Sequence, residues 1–165
     1  MSDATVDRTA FQALMEAVRQ MQTGVRRHRL ILVVGPSGSG KTALLRAAAK
    51  ILAAPLLNIN LRVSARLHEV PRSRHPYEVG RIVRHMIADT ASGTVFLDNL
   101  EMLFAPELQL DPLLLLENES RHRLLVASWA GRLEGEVLVY AEPDHPEYRR
   151  YTNFHAHLIS VGGKV

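Results

Sequence analysis

The sequence predicts an α/β fold in which helices cover both faces of a mostly parallel sheet, giving three layers. Three observations predict it. Short apolar runs alternate with segments of helical periodicity, the stretch GPSGSGKT stands between such a run and a helix, and a later apolar run ends in Asp98. This alternation is typical of parallel sheets covered by helices. The 165 residues suffice for one domain with its own core.

The predicted elements follow one another along the chain. Residues 1–28 are expected to hold a helix to about residue 24, opened by a capping box of Thr9 and Gln12. Residues 29–128 are expected to form the core, and residues 129–165 a C-terminal β-rich extension. Apolar runs predict strands at 29–35, 55–61, 93–98, 123–128, 135–140 and 155–161. Helices are predicted at 41–52, at 77–89 after Pro76, and from Pro112 with Asp111 as N-cap.

The stretch GPSGSGKT is a phosphate-binding loop by its residue types and by its place. It fits the pattern G-x-x-x-x-G-K-[ST] and connects a strand to a helix, as that motif requires. Glycines let the backbone wrap around phosphates, and the amides and the helix N-terminus favour negative charge. Lys41 is expected to neutralise the phosphates of ATP, and Thr42 to hold Mg²⁺. The predicted nucleotide-binding residues are Gly35, Pro36, Ser37, Gly38, Ser39, Gly40, Lys41 and Thr42.

The stretch VFLDNLEMLF predicts the second half of the site. Asp98 is expected to hold Mg²⁺ together with Thr42. The next residue, Asn99, can orient a water molecule but cannot take its proton. Glu101 can take a proton, and its direction depends on whether the strand continues after Asp98 or a helix begins. Hydrolysis and mere binding of the nucleotide therefore both stay open.

The order of the predicted elements narrows the class of nucleotide-binding protein. An N-K-x-D motif of GTPases and an LSGGQ-like stretch of transporter ATPases are both absent from the sequence. A strand and a helix separate the loop strand from the strand that ends in Asp98, which resembles the additional-strand P-loop ATPases, including AAA+ and RecA-like proteins. In that group a further strand, here 123–128, lies between these two. Ser128 would then be a polar sensor near the last phosphate.

The segment after Ser128 has two β-like runs and no clear helical pattern, so the chain is expected to lack the full helical lid of AAA+ proteins. A neighbouring subunit would then close the nucleotide site, and an arginine supplied in trans can contribute much of the rate. We expect a homo-oligomer that assembles on ATP. The candidate arginines are Arg121, Arg123, Arg132, Arg149 and Arg150.

Residues 62–85 concentrate positive charge, with six arginines and three histidines against two glutamates. Arg72 and Arg74, in the stretch PRSRH, could contact the phosphate backbone of DNA. The alternative is a solvated face or a subunit interface. The net charge of +3 decides neither.

The composition excludes some classes of protein. The chain has no cysteine, so it forms neither disulfides nor a thiolate metal site. The N-terminal stretch lacks the apolar core of a signal peptide, and no apolar run approaches the length of a membrane span. We expect a cytoplasmic protein without membrane contact.

The segments LILVVGPSGSGKTALLRAAA, PLLNINL, FLDNLEMLF and YAEPDHPEYRRY, in this order, resemble the BrxF family, the small P-loop proteins of type III BREX (bacteriophage exclusion) systems. The resemblance spans most of the chain, and the segments DNLE and YAEPDHPEYRRY make it particular. It implies a bacterial cytoplasmic component of anti-phage defence. It also implies other BREX proteins as partners, including a methyltransferase and larger ATPases.

The sequence thus favours an AAA+-like ATP-binding protein with slow or partner-dependent hydrolysis. One alternative is a nucleotide-switched assembly, partner-binding or DNA-binding module that never turns over, which Asn99 favours. A second is a small-molecule kinase with the same loop, for which the sequence offers no acceptor pocket or closing segment.

Overall fold

A seven-stranded sheet lies in the middle of the molecule. The computed structural model describes residues 6–162; residues 1–5 and 163–165, which include part of the N-terminal stretch and Lys164, lie outside the described residues. The strands are β1 (Leu30–Gly35), β2 (Leu56–Asn58), β3 (Thr94–Asp98), β4 (Leu124–Glu134), β5 (Val137–Tyr140), β6 (Arg149–Tyr151) and β7 (His157–Ser160). The helices are α1 (Arg8–Thr23), α2 (Lys41–Leu52), α3 (Ile59–Leu67), α4 (His75–Asp89) and α5 (Pro112–Glu119), with short 3₁₀ helices at Arg72–Arg74, Glu101–Phe104 and Pro106–Leu108.

Five strands run parallel in the order β2-β3-β4-β1-β7. β4 therefore lies between the loop strand β1 and the aspartate strand β3, as the sequence predicts. Parallel strands end at the same edge of a sheet, so the residues after β1 and β3 meet there. The predicted mostly parallel α/β fold is confirmed.

Helices cover both faces of this sheet, and each face has its own apolar core. On one face, α1 and α2 pack on alternate strand residues, among them Ile31, Phe96 and Val126. On the other, α3, α4 and α5 pack on the residues between them, among them Leu32, Leu97 and Ala127. Strands that are buried on both faces have continuous apolar sequences, which is why β1 and β3 could be predicted from the sequence.

The start of α1 differs from the prediction. The N-cap is Asp7, whose carboxylate accepts a hydrogen bond from the amide of Ala10 at 3.0 Å. Thr9 lies inside the helix and cannot cap it, so the predicted capping box of Thr9 and Gln12 is wrong. The helix ends at Thr23, close to the predicted end.

The second strand is much shorter than predicted. β2 ends at Asn58, whose side chain accepts a hydrogen bond from the amide of Leu61 at 3.1 Å and so caps α3. The apolar residues Ile59, Val63 and Leu67 then follow at helical spacing and are buried. The local alternation of residues 55–61 resembles a strand, but a capping asparagine and this longer periodicity favour the helix.

The fourth strand is longer than predicted. β4 continues past Ser128 to Glu134, and β5 and β6 pair with its far end in antiparallel fashion. Gly135, with φ of 61°, makes the turn between β4 and β5. Ser128 is therefore not a strand-end residue, because pairing with β5 extends the strand beyond the parallel sheet. We call residues 129–151 the hairpin extension; residues 129–162 contain no helix.

The last strand, β7, returns to the core beside β1, with Ile31 opposite His157. Part of the predicted C-terminal extension thus belongs to the central sheet. Among residues 6–162, none of the helices has the length and apolarity that crossing a membrane requires.

Candidate nucleotide-binding site

The phosphate loop, residues 35–42, lies between the end of β1 and the start of α2, as predicted. Gly38 and Gly40 have φ angles of 78° and 97°, a left-handed backbone that favours glycine. A side chain on Gly35 would collide with the carbonyl oxygen of Val161 and would lie 2.5 Å from Ser39 Oγ. The loop therefore needs these glycines to hold its shape, and its amides lie at the N-terminus of α2, where anions bind favourably.

Lys41 is buried and reaches back across the loop. Its Nζ donates hydrogen bonds to the carbonyl oxygens of Gly35 at 2.8 Å and Pro36 at 2.7 Å. Burial lowers the pKa of Lys41, while the carboxylates of Glu101 and Asp98 oppose that shift. A phosphate group near this ammonium would stabilise its charged form, so the lysine suits an anionic ligand.

Thr42 and Asp98 are 56 positions apart in the chain but are in contact in the structure. The Thr42 hydroxyl donates a hydrogen bond to Asp98 Oδ2 at 2.7 Å, and Asp98 Oδ1 accepts from the amide of Asn99 at 2.9 Å. Hydroxyl and carboxylate oxygens are ligands that Mg²⁺ prefers. The pair therefore fits the predicted metal-holding role. Residues 6–162 contain no cluster of three histidine, cysteine or acidic side chains that could hold another metal.

The chain turns sharply after Asp98. Asn99 has a left-handed backbone with φ of 55°, and the 3₁₀ helix Glu101–Phe104 begins two residues later. This turn carries Glu101 to a cavity of about 560 Å³ that Pro36 and Ser37 of the phosphate loop also line. Glu101 thus lies beside the phosphate loop, whereas Asn99 takes part in the turn through its backbone.

Asn60 is a site residue that the sequence prediction missed. Its side chain donates a hydrogen bond to Glu101 Oε2 at 2.9 Å and accepts one from the amide of Met102 at 3.0 Å. Its own amide donates to the carbonyl of Asn99 at 2.7 Å. The signal was a polar residue in the first turn of α3, two positions after Asn58, which pairs with Asp98, and the overlong predicted strand concealed it.

Ser128 is buried in β4, opposite Val33 of β1. It stands one position beyond Ala127, which pairs with Leu97 of β3, so it lies beside Asp98 across the sheet. Ser128 thus lies next to Asp98 from the middle of β4, and its role as a sensor of the last phosphate stays a prediction.

The five candidate arginines lie in different surroundings. Arg123 donates to the carbonyls of Ile87 and Ser92 at the amino end of β4, and Arg149 to those of Leu110 and Phe104. Both therefore hold the fold together. Arg121 is exposed, Arg150 pairs with Glu134, and Arg132 lines the cavity beside the phosphate loop.

Arg72 and Arg74 are exposed in a 3₁₀ helix between α3 and α4. Tyr77, in the first turn of α4, is 81% exposed. Arg81 follows one turn later and is exposed too. This surface combines positive charge with an aromatic ring on one side of the molecule.

The chain is similar to known proteins in sequence and in fold. Residues 31–112 match the family model AAA, ATPase family associated with various cellular activities. The structure of C. elegans PCH-2 aligns with a TM-score of 0.50 and 15% identity, covering 96% of this chain and 45% of that chain. The crystal structure of a DNA replication initiation factor aligns with a TM-score of 0.44 and 18% identity, covering 76% of this chain and 40% of that chain. This chain therefore spans less than half of either. No curated protein matches it.

Proposed function

We propose that the protein binds ATP with Mg²⁺ and hydrolyses it slowly or with the help of a partner, because residues 31–112 match the model of the AAA family of ATPases. One observation carries the proposal. The hydroxyl that follows the loop lysine, Thr42 Oγ1, lies 2.7 Å from Asp98 Oδ2, so the two halves of a nucleotide site are assembled in one chain.

Each residue has a role in the proposed reaction. Lys41 exchanges its bonds to loop carbonyls for phosphate oxygens, and Thr42 and Asp98 would hold Mg²⁺, which would supply positive charge against the phosphates. Glu101 takes the proton of the attacking water, and Asn99 and Ser128 help to orient that water. Asn60 keeps the Glu101 carboxylate in place through its hydrogen bond.

A second function has support from the same contact. The hydrogen bond from Asn60 ties up one oxygen of Glu101, and Asn99 cannot act as a base. A protein that binds ATP and changes its assembly without turning it over fits these facts. Glu101→Gln separates the two functions, since it removes the base and keeps the shape of the side chain.

We further propose that ATP drives self-assembly and that a second copy supplies an arginine. Support comes from residues 129–162, which follow the core and include the hairpin extension: they form no helix, in keeping with the expected lack of a full helical lid. Arg121 is the first candidate. It is exposed at the amino end of β4, whereas the phosphate loop lies at the carboxyl end of the sheet, so it cannot serve its own site.

The test is the release of phosphate from ATP as a function of protein concentration, with Lys41→Ala as the blank. We expect the specific activity of the wild type to rise with concentration, because sites are completed between subunits. Glu101→Gln should fall to the blank while still binding ATP. Wild-type activity that stays at the blank level would favour the non-hydrolysing function. Failure of the wild type to bind ATP would refute both.

A DNA contact through Arg72 and Arg74 is a separate proposal. The exposed Tyr77 and Arg81 nearby support it, because arginines and a stacking ring suit a nucleic-acid strand. Binding should weaken in Arg72→Ala/Arg74→Ala and should fall as salt rises. Unchanged binding of DNA by the double variant would exclude this surface.

We also propose a role in bacterial anti-phage defence beside other BREX proteins, in the cytoplasm. The segments DNLE and YAEPDHPEYRRY support it by their resemblance to that family. In a host that carries the remaining BREX proteins, loss of protection in Lys41→Ala would support the role. Protection equal to the wild type would contradict it.

A further inference from the structure

The hairpin extension forms one wall of the cavity beside the phosphate loop. Pro36, Ser37 and Glu101 lie on the core side of this cavity of about 560 Å³. The opposite wall comes from the extension: Gly131, Arg132, Tyr140, Glu142, His145 and Glu147. A ligand group that contacts Pro36 and Ser37 from this cavity therefore also faces the extension.

The extension packs closely against the core, so its wall has a defined position. Tyr140 stacks on Phe104 with 3.5 Å between ring centroids, and Trp129 meets both rings edge-on. The indole of Trp129 donates a hydrogen bond to the carbonyl of Val139 at 3.1 Å. A side chain on Gly131 would collide with that same carbonyl, so β4 and β5 approach as closely as glycine allows. Phe104 ends the 3₁₀ helix that Glu101 begins, which links the wall to the proposed base.

Arg132 is the cationic side chain in this wall, and its present partners are weak ones. Its Nε donates to Glu134 at 2.7 Å and its Nη1 to Glu142 at 3.3 Å. Glu142 is 73% exposed, and ion pairs of exposed groups contribute little because water competes for them. A phosphate offers the guanidinium a denser charge and a matching fork of oxygens. Glu101, Glu142 and Glu147 make the rest of the lining acidic, so a phosphate there depends on Arg132.

We propose that Arg132 contacts the terminal phosphate of the nucleotide bound in its own chain and so makes the site distinguish a triphosphate from a diphosphate. Glu134 and Glu142 hold the guanidinium until the phosphate replaces the Glu142 carboxylate. This inference rests on the proposed function, since it requires ATP at the phosphate loop. It assigns to Arg132 a role within its own chain, where the sequence suggested a role in trans.

The test is the affinity for Mg²⁺-ATPγS and for Mg²⁺-ADP, measured by calorimetry. Arg132→Gln should weaken ATPγS binding by about tenfold or more, equivalent to about 1.4 kcal/mol, and change ADP binding by less than about twofold. Arg150→Gln is the matched control. Arg150 also pairs with Glu134 on the extension but is absent from the cavity lining, so both affinities should stay as in the wild type.

The outcomes separate this inference from the proposed function. A wild type that binds neither nucleotide refutes the proposed function. A wild type that binds both, with Arg132→Gln weakening both equally or neither, overturns the role of Arg132. Circular dichroism of Arg132→Gln shows whether the extension stays folded.

A second variant tests the exchange of partners. Glu142→Gln removes one carboxylate from Arg132, so ATPγS should bind about threefold more tightly, with ADP unchanged. The gain should vanish when Glu142→Gln is combined with Arg132→Gln. A gain that persists in the double variant would mean that Glu142 acts by its own charge and would contradict the exchange.

Discussion

Strands β1 and β3 are covered by helices on both faces, whereas β5 and β6 of the hairpin extension are attached to the core through one aromatic cluster and the buried Leu138. In the parallel core, continuous runs such as 30–34 are almost fully buried, and many apolar contacts share the stability. In the extension, Phe104, Trp129, Tyr140 and Tyr151 carry the attachment, and Arg149 adds hydrogen bonds to backbone carbonyls.

The difference shows what positions the residues on each side of the site, the phosphate loop with Asp98 on one side and Arg132 on the other. The phosphate loop and Asp98 stand at the ends of β1 and β3, so the sheet determines where they lie, and the glycines determine the shape of the loop. The wall that carries Arg132 is placed by a few specific rings, so a single substitution can displace it. Substitutions in the core half should therefore reduce nucleotide binding or hydrolysis. Substitutions in the aromatic cluster should instead destabilise the extension and displace Arg132.

The largest effect is expected from removing the central ring of the aromatic cluster. Trp129→Ala should lower the free energy of unfolding by about 3–5 kcal/mol, because it leaves a large cavity under the extension. Leu133→Ala, at a position that is 45% exposed in the same strand, should cost less than about 0.5 kcal/mol. Urea unfolding followed by circular dichroism measures both. Equal effects of the two variants would mean that the extension is not anchored as described.

The next effect concerns the core half of the site. Thr42→Val keeps the shape of the side chain and removes the hydroxyl that bonds Asp98, so Mg²⁺-dependent ATP affinity should fall about tenfold to a hundredfold, about 1.4–2.7 kcal/mol. Thr42→Ser keeps the hydroxyl and should behave as the wild type. Calorimetry with Mg²⁺ and with EDTA separates the metal-dependent part. A loss of the same size in EDTA would argue against a role in holding the ion.

Asn60→Ala should lower the rate of phosphate release about tenfold, about 1.4 kcal/mol, with little change in ATP affinity. The reason is that the Glu101 carboxylate loses the hydrogen bond that orients it. Asn118→Ala, at an exposed position in α5, is the control. A faster reaction in Asn60→Ala would show that the bond restrains Glu101 instead of positioning it.

A smaller effect is expected at the turn after Asp98. Asn99 has φ of 55°, a conformation that costs an alanine about 1 kcal/mol more than a glycine. Asn99→Gly should therefore be more stable than Asn99→Ala by about that amount in thermal unfolding. Equal stability of the two variants would mean that the turn relaxes, and Glu101 would then not be fixed by it.

The smallest expected effect is on the pH dependence of Tm, and it comes from the edge of the sheet opposite to the phosphate loop. His28 stacks on His155, with 4.8 Å between centroids, and burial lowers the pKa of His28, helped by His155, Arg121 and Arg27 and opposed by Glu117. A histidine titrates near 6.5 in the unfolded chain, so below that pH the unfolded state binds the proton more readily. Between pH 7.5 and 5.5, the Tm of the wild type should fall about 1–2 °C more than that of His28→Gln. A smaller fall in the wild type would contradict this sign.

The core could be predicted from sequence because its signals are local. The motif 35–42, the apolar run before Asp98 and the N-cap Asp111 each identify an element without knowledge of the rest, and the structure has all three. The place of β4 between β1 and β3 followed from the resemblance to additional-strand P-loop ATPases, whereas the places of β2 and β7 were not predicted.

The rest depended on contacts between distant residues. Asn58 ends β2 by capping α3, and residues 129–134 remain a strand because β5 pairs with them. Asn60 reaches Glu101 only because β2 lies beside β3. Only the helix after Asn58 has a periodic signal, the spacing of Ile59, Val63 and Leu67, and the alternation of residues 55–61 concealed it. The other two contacts depend on pairing between strands and leave no periodic signal in the sequence.

Trp129 is the single tryptophan of the chain, and its indole is buried between the core and the extension. Because no second indole emits, the intrinsic fluorescence reports on this one junction. Trp129 is therefore an intrinsic probe of the contact between the core and the extension. Stopped-flow emission could time any shift of the extension when a nucleotide arrives, without attaching a dye.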